Sequence, residues 1–152
     1  DIKLTIVGRN PSPSLQKLMD NVPEVELTGW VEDTRPYINQ SMLFIVPLRI
    51  GGGTRMKIYE AMSMGKTVVS TQVGAEGLPV EPDENIILVD DPQEFGETII
   101  ELLENKQIGK SIGRSASSFV RRNFSWQQVA SKFSDICLSV HDAKRPHVTS
   151  SQ

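Results

Sequence analysis

The sequence predicts an α/β fold, a doubly wound parallel sheet with helices on both faces. Strand-like and helix-like runs alternate along the chain, the order that gives a sheet layered between helices. Two of the strand-like runs, MLFIVP at 42–47 and IILV at 86–89, are continuously apolar, as strands covered on both faces are. Glycines follow the first strand-like run and the one ending at Pro47, where such a chain turns from strand to helix.

Residues 2–7 (IKLTIV) become continuously apolar and end at Gly8, reading as a strand closed by a glycine turn. Ser14 is the expected cap of a helix over 15–19, in which Leu15, Leu18 and Met19 share a face. Residues 25–30 (VELTGW) read as a second strand, and Asp33 or Thr34 caps a short helix through Tyr37 and Ile38. After the third strand, 42–47, a helix is expected from Thr54 to Met64, stopped by Gly65. Strands at 67–71 and 86–89 follow. Pro92 suits the first position of a helix reaching about Asn105. Helical patterns at 108–123 and 125–140, the latter capped by Ser125, complete a domain over residues 1–140. The stretch 141–152 has no apolar periodicity and reads as a disordered tail. Because an apolar strand stands at the very start of the chain, the sequence reads as a piece of a longer protein.

Composition narrows the function. The 152 residues are 38% hydrophobic and carry a net charge of −3, unlike the basic stripe of a nucleic-acid binder. One cysteine, Cys137, leaves no disulfide framework and no cysteine metal cage; it reads as a small core residue. No apolar run reaches the ~20 residues of a membrane span, and no signal peptide opens the chain. His141 and His147 lie in the tail, which argues against a histidine-based nucleophile system. Asp90 and Asp91 read as a strand-end turn and a helix cap rather than a metal site. Trp30 and Trp126 read as packing residues, with Trp30 the one that can line a ligand site.

The most informative stretch is RIGGGTRMKIYEAMSMG at 49–65. Gly51, Gly52 and Gly53 lie between a strand and a helix, the position at which doubly wound sheets bind ligands. Without a Cβ, their backbone N–H groups can approach an anion closely, and the helix start adds unpaired donors and the positive dipole end. Arg49, Arg55 and Lys57 make the stretch locally basic, with no acid before Glu60. Glu60 lies about 9 Å beyond Thr54 along a helix axis at about 1.5 Å per residue. It shares a face with Lys57, apart from the apolar stripe of Ile58, Ala61, Met62 and Gly65. A diphosphate at the helix start, with ribose hydroxyls on Glu60, fits this order; an exposed Lys57–Glu60 pair is the plainer alternative. Neither the P-loop nor the dinucleotide glycine fingerprint is present.

The run PLRIGGGTRMKIYEAMSMGKTVVSTQVGAEGLPV, with VEDTRPYINQSMLFIVP before it and ILVDDPQEF after it, resembles the nucleotide-sugar-binding half of the glycosyltransferase family 4 enzymes. The resemblance covers most of residues 2–135. It implies one Rossmann-like half of a GT-B glycosyltransferase, the C-terminal, donor-binding domain. The acceptor, a glycan or lipid, would sit on an N-terminal domain outside this chain, and the opening strand of the C-terminal domain would lie upstream of Asp1. Glu60 matches the second glutamate of the family's paired motif, which accepts the ribose hydroxyls. The first falls on Gly52, a departure that removes a side chain near the donor sugar. Gly8 and Arg9 match the phosphate-side glycine loop, and Gly29, Trp30 and Val31 the segment where the base packs.

The resemblance further implies metal-independent transfer of a sugar from a nucleoside diphosphate with retention of configuration. Arg55 and Lys57 are the candidate catalytic side chains, and residues 51–54 (Gly51, Gly52, Gly53 and Thr54) form the cradle for the charge that develops on the leaving diphosphate. No cofactor beyond the donor substrate is implied, the isolated fragment is expected to be inactive, and the setting is cytoplasmic. Arg121 and Arg122 read as a solvated face, with a peripheral membrane contact of the full-length protein as the alternative. Two other readings fit the residues less well. A non-catalytic phosphate- or protein-binding module has no use for GTRMKIYEAMSMG, and a nucleotide-sugar epimerase needs an acid/base side chain where Gly52 stands.

Overall fold

The computed structural model describes residues 2–143, and the expected α/β fold is the one the chain adopts. The order is β1 (Leu4–Ile6), α1 (Pro13–Asn21), β2 (Val25–Leu27), α2 (Arg35–Gln40), β3 (Leu43–Val46), α3 (Met56–Ser63), β4 (Thr67–Ser70), β5 (Ile87–Leu88), α4 (Pro92–Glu104), α5 (Lys106–Asn123) and α6 (Trp126–Ala143). All recorded strand pairings are parallel. β1 pairs with β2, with Leu4 opposite Val25, and β4 lies between β3 and β5, with Val69 opposite both Ile45 and Ile87. The strands thus form two parallel groups, of two and three.

The core is built around β4, buried at all four positions. Side chains alternate across a strand, so Val68 and Val69 enter different clusters. Val68 packs with Ile58, Ala61 and Met62 of α3 and Ala116 and Val120 of α5. Val69 packs with Phe95 and Leu102 of α4 and with Ile112. The expected apolar stripe of α3 is therefore its buried face. α5 approaches closely because its inner face is small: a Cβ on Gly113 would stand 2.2 Å from the Gly65 carbonyl oxygen. The Thr67 hydroxyl donates to the Gly109 carbonyl oxygen.

Helix ends follow local chemistry. Ser12, not Ser14, caps α1: its hydroxyl accepts from the Leu15 N–H, and Pro13 takes the first helical position, for which its fixed φ is suited. Thr34 occupies the cap position of α2 without a side-chain bond, and Asp33 accepts from the Arg35 N–H instead. α3 starts two residues after Thr54. It ends as expected at Gly65, whose φ of 74° places it in the left-handed region; Gly65 N–H donates to Met62 and Lys66 N–H to Ala61, satisfying the last carbonyls. Asp91 accepts from the N–H groups of Gln93 and Glu94 and caps α4. Ser125 accepts from Gln128 N–H at the start of α6.

Two regions differ from expectation. Ile38 is the first buried residue along the described chain, so β1, α1 and β2 are at most half-buried. α6 continues to Ala143, three residues into the expected tail, and residues 144–152 lie outside the described ones. Its side chains described from Trp126 to His141 are all exposed. Cys137 is consequently exposed rather than in the core, and Trp126 is 87% exposed rather than packed. Both lie on a helix whose apolar stripe, Trp126, Val129, Phe133, Ile136 and Val140, is uncovered among the described residues. No helix among the described residues is long and apolar enough to cross a membrane.

Candidate functional site

Parallel strands bring every loop that follows a strand to one edge of the sheet. Gly8 follows β1, Gly29 follows β2, residues 51–53 follow β3, residues 71–77 follow β4, and Asp90 follows β5. Gly8 N–H donates to the Gly29 carbonyl at 3.2 Å, which joins the first two loops as an isolated antiparallel bridge. Gly29 takes a φ of 73° to make that turn.

Between these loops and α3 lies a cavity of about 180 Å³. Val7, Gly8 and Arg9 form one wall, and Gly29, Trp30 and Val31 form the second. Thr34 and Lys57 close the third. Six of the residues singled out from the sequence, Gly8, Arg9, Gly29, Trp30, Val31 and Lys57, thus meet in one place although they span almost fifty positions. Trp30 is 65% exposed, so it stands at this cavity rather than packing in a core. Of the two expectations for Trp30, packing and lining a ligand site, its exposure and its place in the cavity wall favour the second.

A larger hollow of about 620 Å³ lies elsewhere, between Glu81, Asn85, Phe119, Arg122 and Lys132. It adjoins the N-terminal end of β5, the sheet edge opposite the glycine loops, where a doubly wound sheet does not carry its ligand. Size therefore does not choose the site; strand polarity does.

On either side of Thr34, which lines the smaller cavity, the sequence marks Asp33 only as a helix cap and does not single out Arg35. Asp33 and Arg35 form a forked pair, with Nε 2.9 Å and 3.0 Å from the two carboxylate oxygens and Nη2 2.8 Å from Oδ2. The hydrogen bond holds the Asp33 carboxyl below its ordinary value and raises that of Arg35, to which the charge of Glu60 also contributes. Glu60 is half-buried on α3, and its field reaches the start of α2. No sequence signal links Arg35 to Glu60, because they belong to different helices.

The glycine loop, residues 51–54, does not line this cavity, and neither does Glu60. Gly51, Gly52, Gly53 and Thr54 are exposed, and Gly53 has a φ of 94°. Arg55 differs from Lys57: its side chain is only 8% exposed and does not line the cavity. It donates to the carbonyls of Val73 (2.7 Å), Gly51 (3.2 Å) and Gly52 (3.3 Å). Asp90 accepts from Gln72 N–H at 2.8 Å and Asp91 caps α4, so these two carboxylates have the structural duties expected of them. No group of three or more potential metal ligands occurs among the described residues.

The same α/β fold occurs in solved structures of GT-B glycosyltransferases. Sucrose-phosphate synthase of Thermosynechococcus elongatus aligns over 93% of this chain and 39% of its own, with a TM-score of 0.77 at 20% identity. HepE of Anabaena, solved in complex with UDP, aligns over 88% of this chain and 41% of its own, with a TM-score of 0.76 at 21% identity. The sequence profile of the glycosyl transferases group 1 family matches residues 1–105, and the chain belongs to that family. An uncharacterized glycosyltransferase of Methanocaldococcus jannaschii is 30% identical over 142 residues, 89% of this chain and 36% of the relative. An uncharacterized 44.6 kDa protein of the Klebsiella pneumoniae cps region is 30% identical over 138 residues, 86% of this chain and 36% of the relative. The chain thus spans about a third of the length of the curated relatives it matches.

Proposed function

We propose that this chain is the donor-binding, C-terminal domain of a family 4 retaining glycosyltransferase, and that the cavity between Gly8, Gly29 and Lys57 receives a nucleoside diphosphate sugar. The observation that carries the reading is the convergence of Gly8, Arg9, Gly29, Trp30, Val31 and Lys57 on that one cavity at the C-terminal strand ends. Neighbours of the same fold were solved with UDP and with UDP-glucose, which supports a nucleotide-sugar donor. The base lies against Trp30 and the backbone of Gly29 and Val31. Glu60 accepts the ribose hydroxyls, and the diphosphate meets Arg9, Lys57 and the backbone at residues 51–54.

Transfer with retention then proceeds by stabilising charge on the departing diphosphate. Preorganised N–H donors and the Lys57 ammonium serve this without reorganising during the reaction. A helix start and cations supply the charge that a metal ion gives other transferases. Gly52, in place of a glutamate, opens room beside the sugar. The acceptor, a glycan or lipid, is brought by an N-terminal domain in the whole protein, and the setting is cytoplasmic, with membrane contact confined to that whole protein.

The test is titration of the chain with UDP, GDP, ADP and dTDP, followed by amide NMR and calorimetry. One diphosphate is expected to bind and to shift Gly8, Gly29 and Gly52. Lys57→Met and Glu60→Ala each weaken it about tenfold, the loss of roughly one charge-assisted hydrogen bond. Shifts confined to the hollow at Arg122, or turnover by this chain alone, would sink the reading.

A further inference from the structure

Arg55 is a buried cation with few ordinary reasons to be there. Its nearest carboxylate, Glu76, is 4.0 Å away and 74% exposed, and its buried Nε has no hydrogen-bond partner among the described residues. Burying a charge with so weak a counter-charge is costly, so the three carbonyls it holds are the point of interest. Two belong to consecutive glycines of the loop after β3, and the third to Val73 in the loop after β4.

Peptide geometry gives those contacts a direction. All described peptide bonds are trans, so the carbonyl of one residue and the N–H of the next point opposite ways in one plane. With the Gly51 and Gly52 carbonyls turned to the guanidinium, the N–H groups of Gly52 and Gly53 point away from it. Both residues are exposed, and neither N–H is paired within the described chain. Two successive N–H groups facing the same side form a concave anion site. The same loop is tied at its start, where the Thr71 hydroxyl donates to the Leu48 carbonyl. The Gly74 N–H donates in turn to that hydroxyl, at 3.0 Å. The loops after β3 and β4 are thus fastened at both ends, by Thr71 and by Arg55.

We propose that Arg55 is a positioning residue: from beneath, it holds the glycine loop with its N–H groups outward and locks it to the 71–77 loop, so that a diphosphate on one loop is felt by the other. This rests on the donor-site reading above, and it moves Arg55 from contact with the substrate to control of the backbone that makes the contact. Lysine cannot replace it, because an ammonium lacks the planar fork that spans three carbonyls.

The experiment compares the wild-type chain with Arg55→Lys, Arg55→Met and Lys57→Met by amide NMR, with UDP as the probe. In the wild type, UDP shifts Gly52 and Gly53 and also Gly74 and Gly77. Arg55→Lys is expected to weaken UDP binding about tenfold and to abolish the response at Gly74 and Gly77 while the melting temperature stays near that of the wild type. Lys57→Met weakens binding but keeps that response. An Arg55→Lys chain with wild-type affinity and a wild-type response at Gly74 overturns the proposal. Two readouts need no ligand. Wild-type Arg55 should show separate, slowly exchanging Nη–H signals from a held guanidinium, and Arg55→Lys should lower order parameters at residues 51–53 and 73–77 together. A freely rotating guanidinium overturns the proposal even if the variants fail to fold. If UDP leaves the wild type unchanged, the donor-site reading falls, and these two readouts alone decide for or against the positioning of the loop.

Discussion

The β1–α1–β2 unit and the β3-to-α5 unit are made of the same elements, yet they are packed very differently. The first has no buried residue; the second, joined by Ile38 of α2, holds both core clusters. Sequence composition alone does not explain this: MLFIVP is apolar throughout, yet β3 is only half-buried, whereas TVVS, with its threonine and serine, is buried at every position. Position in the sheet does. β4 is flanked by strands on both sides and by helices on both faces, whereas β1 has one recorded neighbour, β2, and the short α1 beside it. A strand's burial is a property of what surrounds it, so a continuous apolar run marks a strand that needs cover more surely than one that has it. The cavity straddles the two units, with Gly8 and Gly29 on the lightly packed side and Lys57 on the densely packed one.

The sharpest way to break this comparison is to damage the two units equally. Gly113→Ala drives a methyl group to 2.2 Å from a backbone oxygen that cannot step aside, and a loss of about 3 kcal/mol in urea unfolding is expected. Met62→Ala leaves a cavity in the fully buried site and should cost about 3 kcal/mol. Ile6→Ala, in half-buried β1, should cost about 1 kcal/mol. Equal losses at Met62 and Ile6 would show that the first unit is as well packed as the second. A smaller effect sharpens the picture of the helix ends: Asp91→Ala removes two capping bonds and should lower stability by about 1 kcal/mol.

The smallest effects come from two exposed carboxyls that pull in opposite directions. Asp33, held low by Arg35, adds stability above its ordinary value of 3.8 that is lost as pH falls through its depressed value. Glu81, raised by its hydrogen bond to Glu84, adds stability that is full at low pH and lost as pH rises through its raised value, above the ordinary 4.5. Carboxyl NMR titration should place Asp33 below and Glu81 above those ordinary values, and reversal of either order would refute the contacts inferred for it.

Much of this was legible in the residues, for reasons that are local. Strand and helix existence followed from apolar runs, and the helix stop at Gly65 and the helix start at Asp91 from chemistry confined to a few neighbours. Ser12 was missed in favour of Ser14 because two serines flank Pro13, and only the proline's preference for the first helical position separates them. The site residues were recognisable through family resemblance and loop position. The inward turn of Arg55 was not, because its partner Val73 lies eighteen residues on. Nor was the exposure of Trp126 and Cys137, since periodicity reports an apolar stripe and is silent on what lies against it.

The gathering of five strand ends at one edge has a consequence for descent. Because β4 and its helices do not depend on what the loops carry, loop residues can be exchanged with little effect on whether the chain folds. Gly52, exposed in the loop after β3, stands at a position of that kind. A lineage can therefore revise what that edge binds one loop at a time while inheriting the same scaffold, and substitutions should accumulate there faster than at Val68, Val69 or Met62.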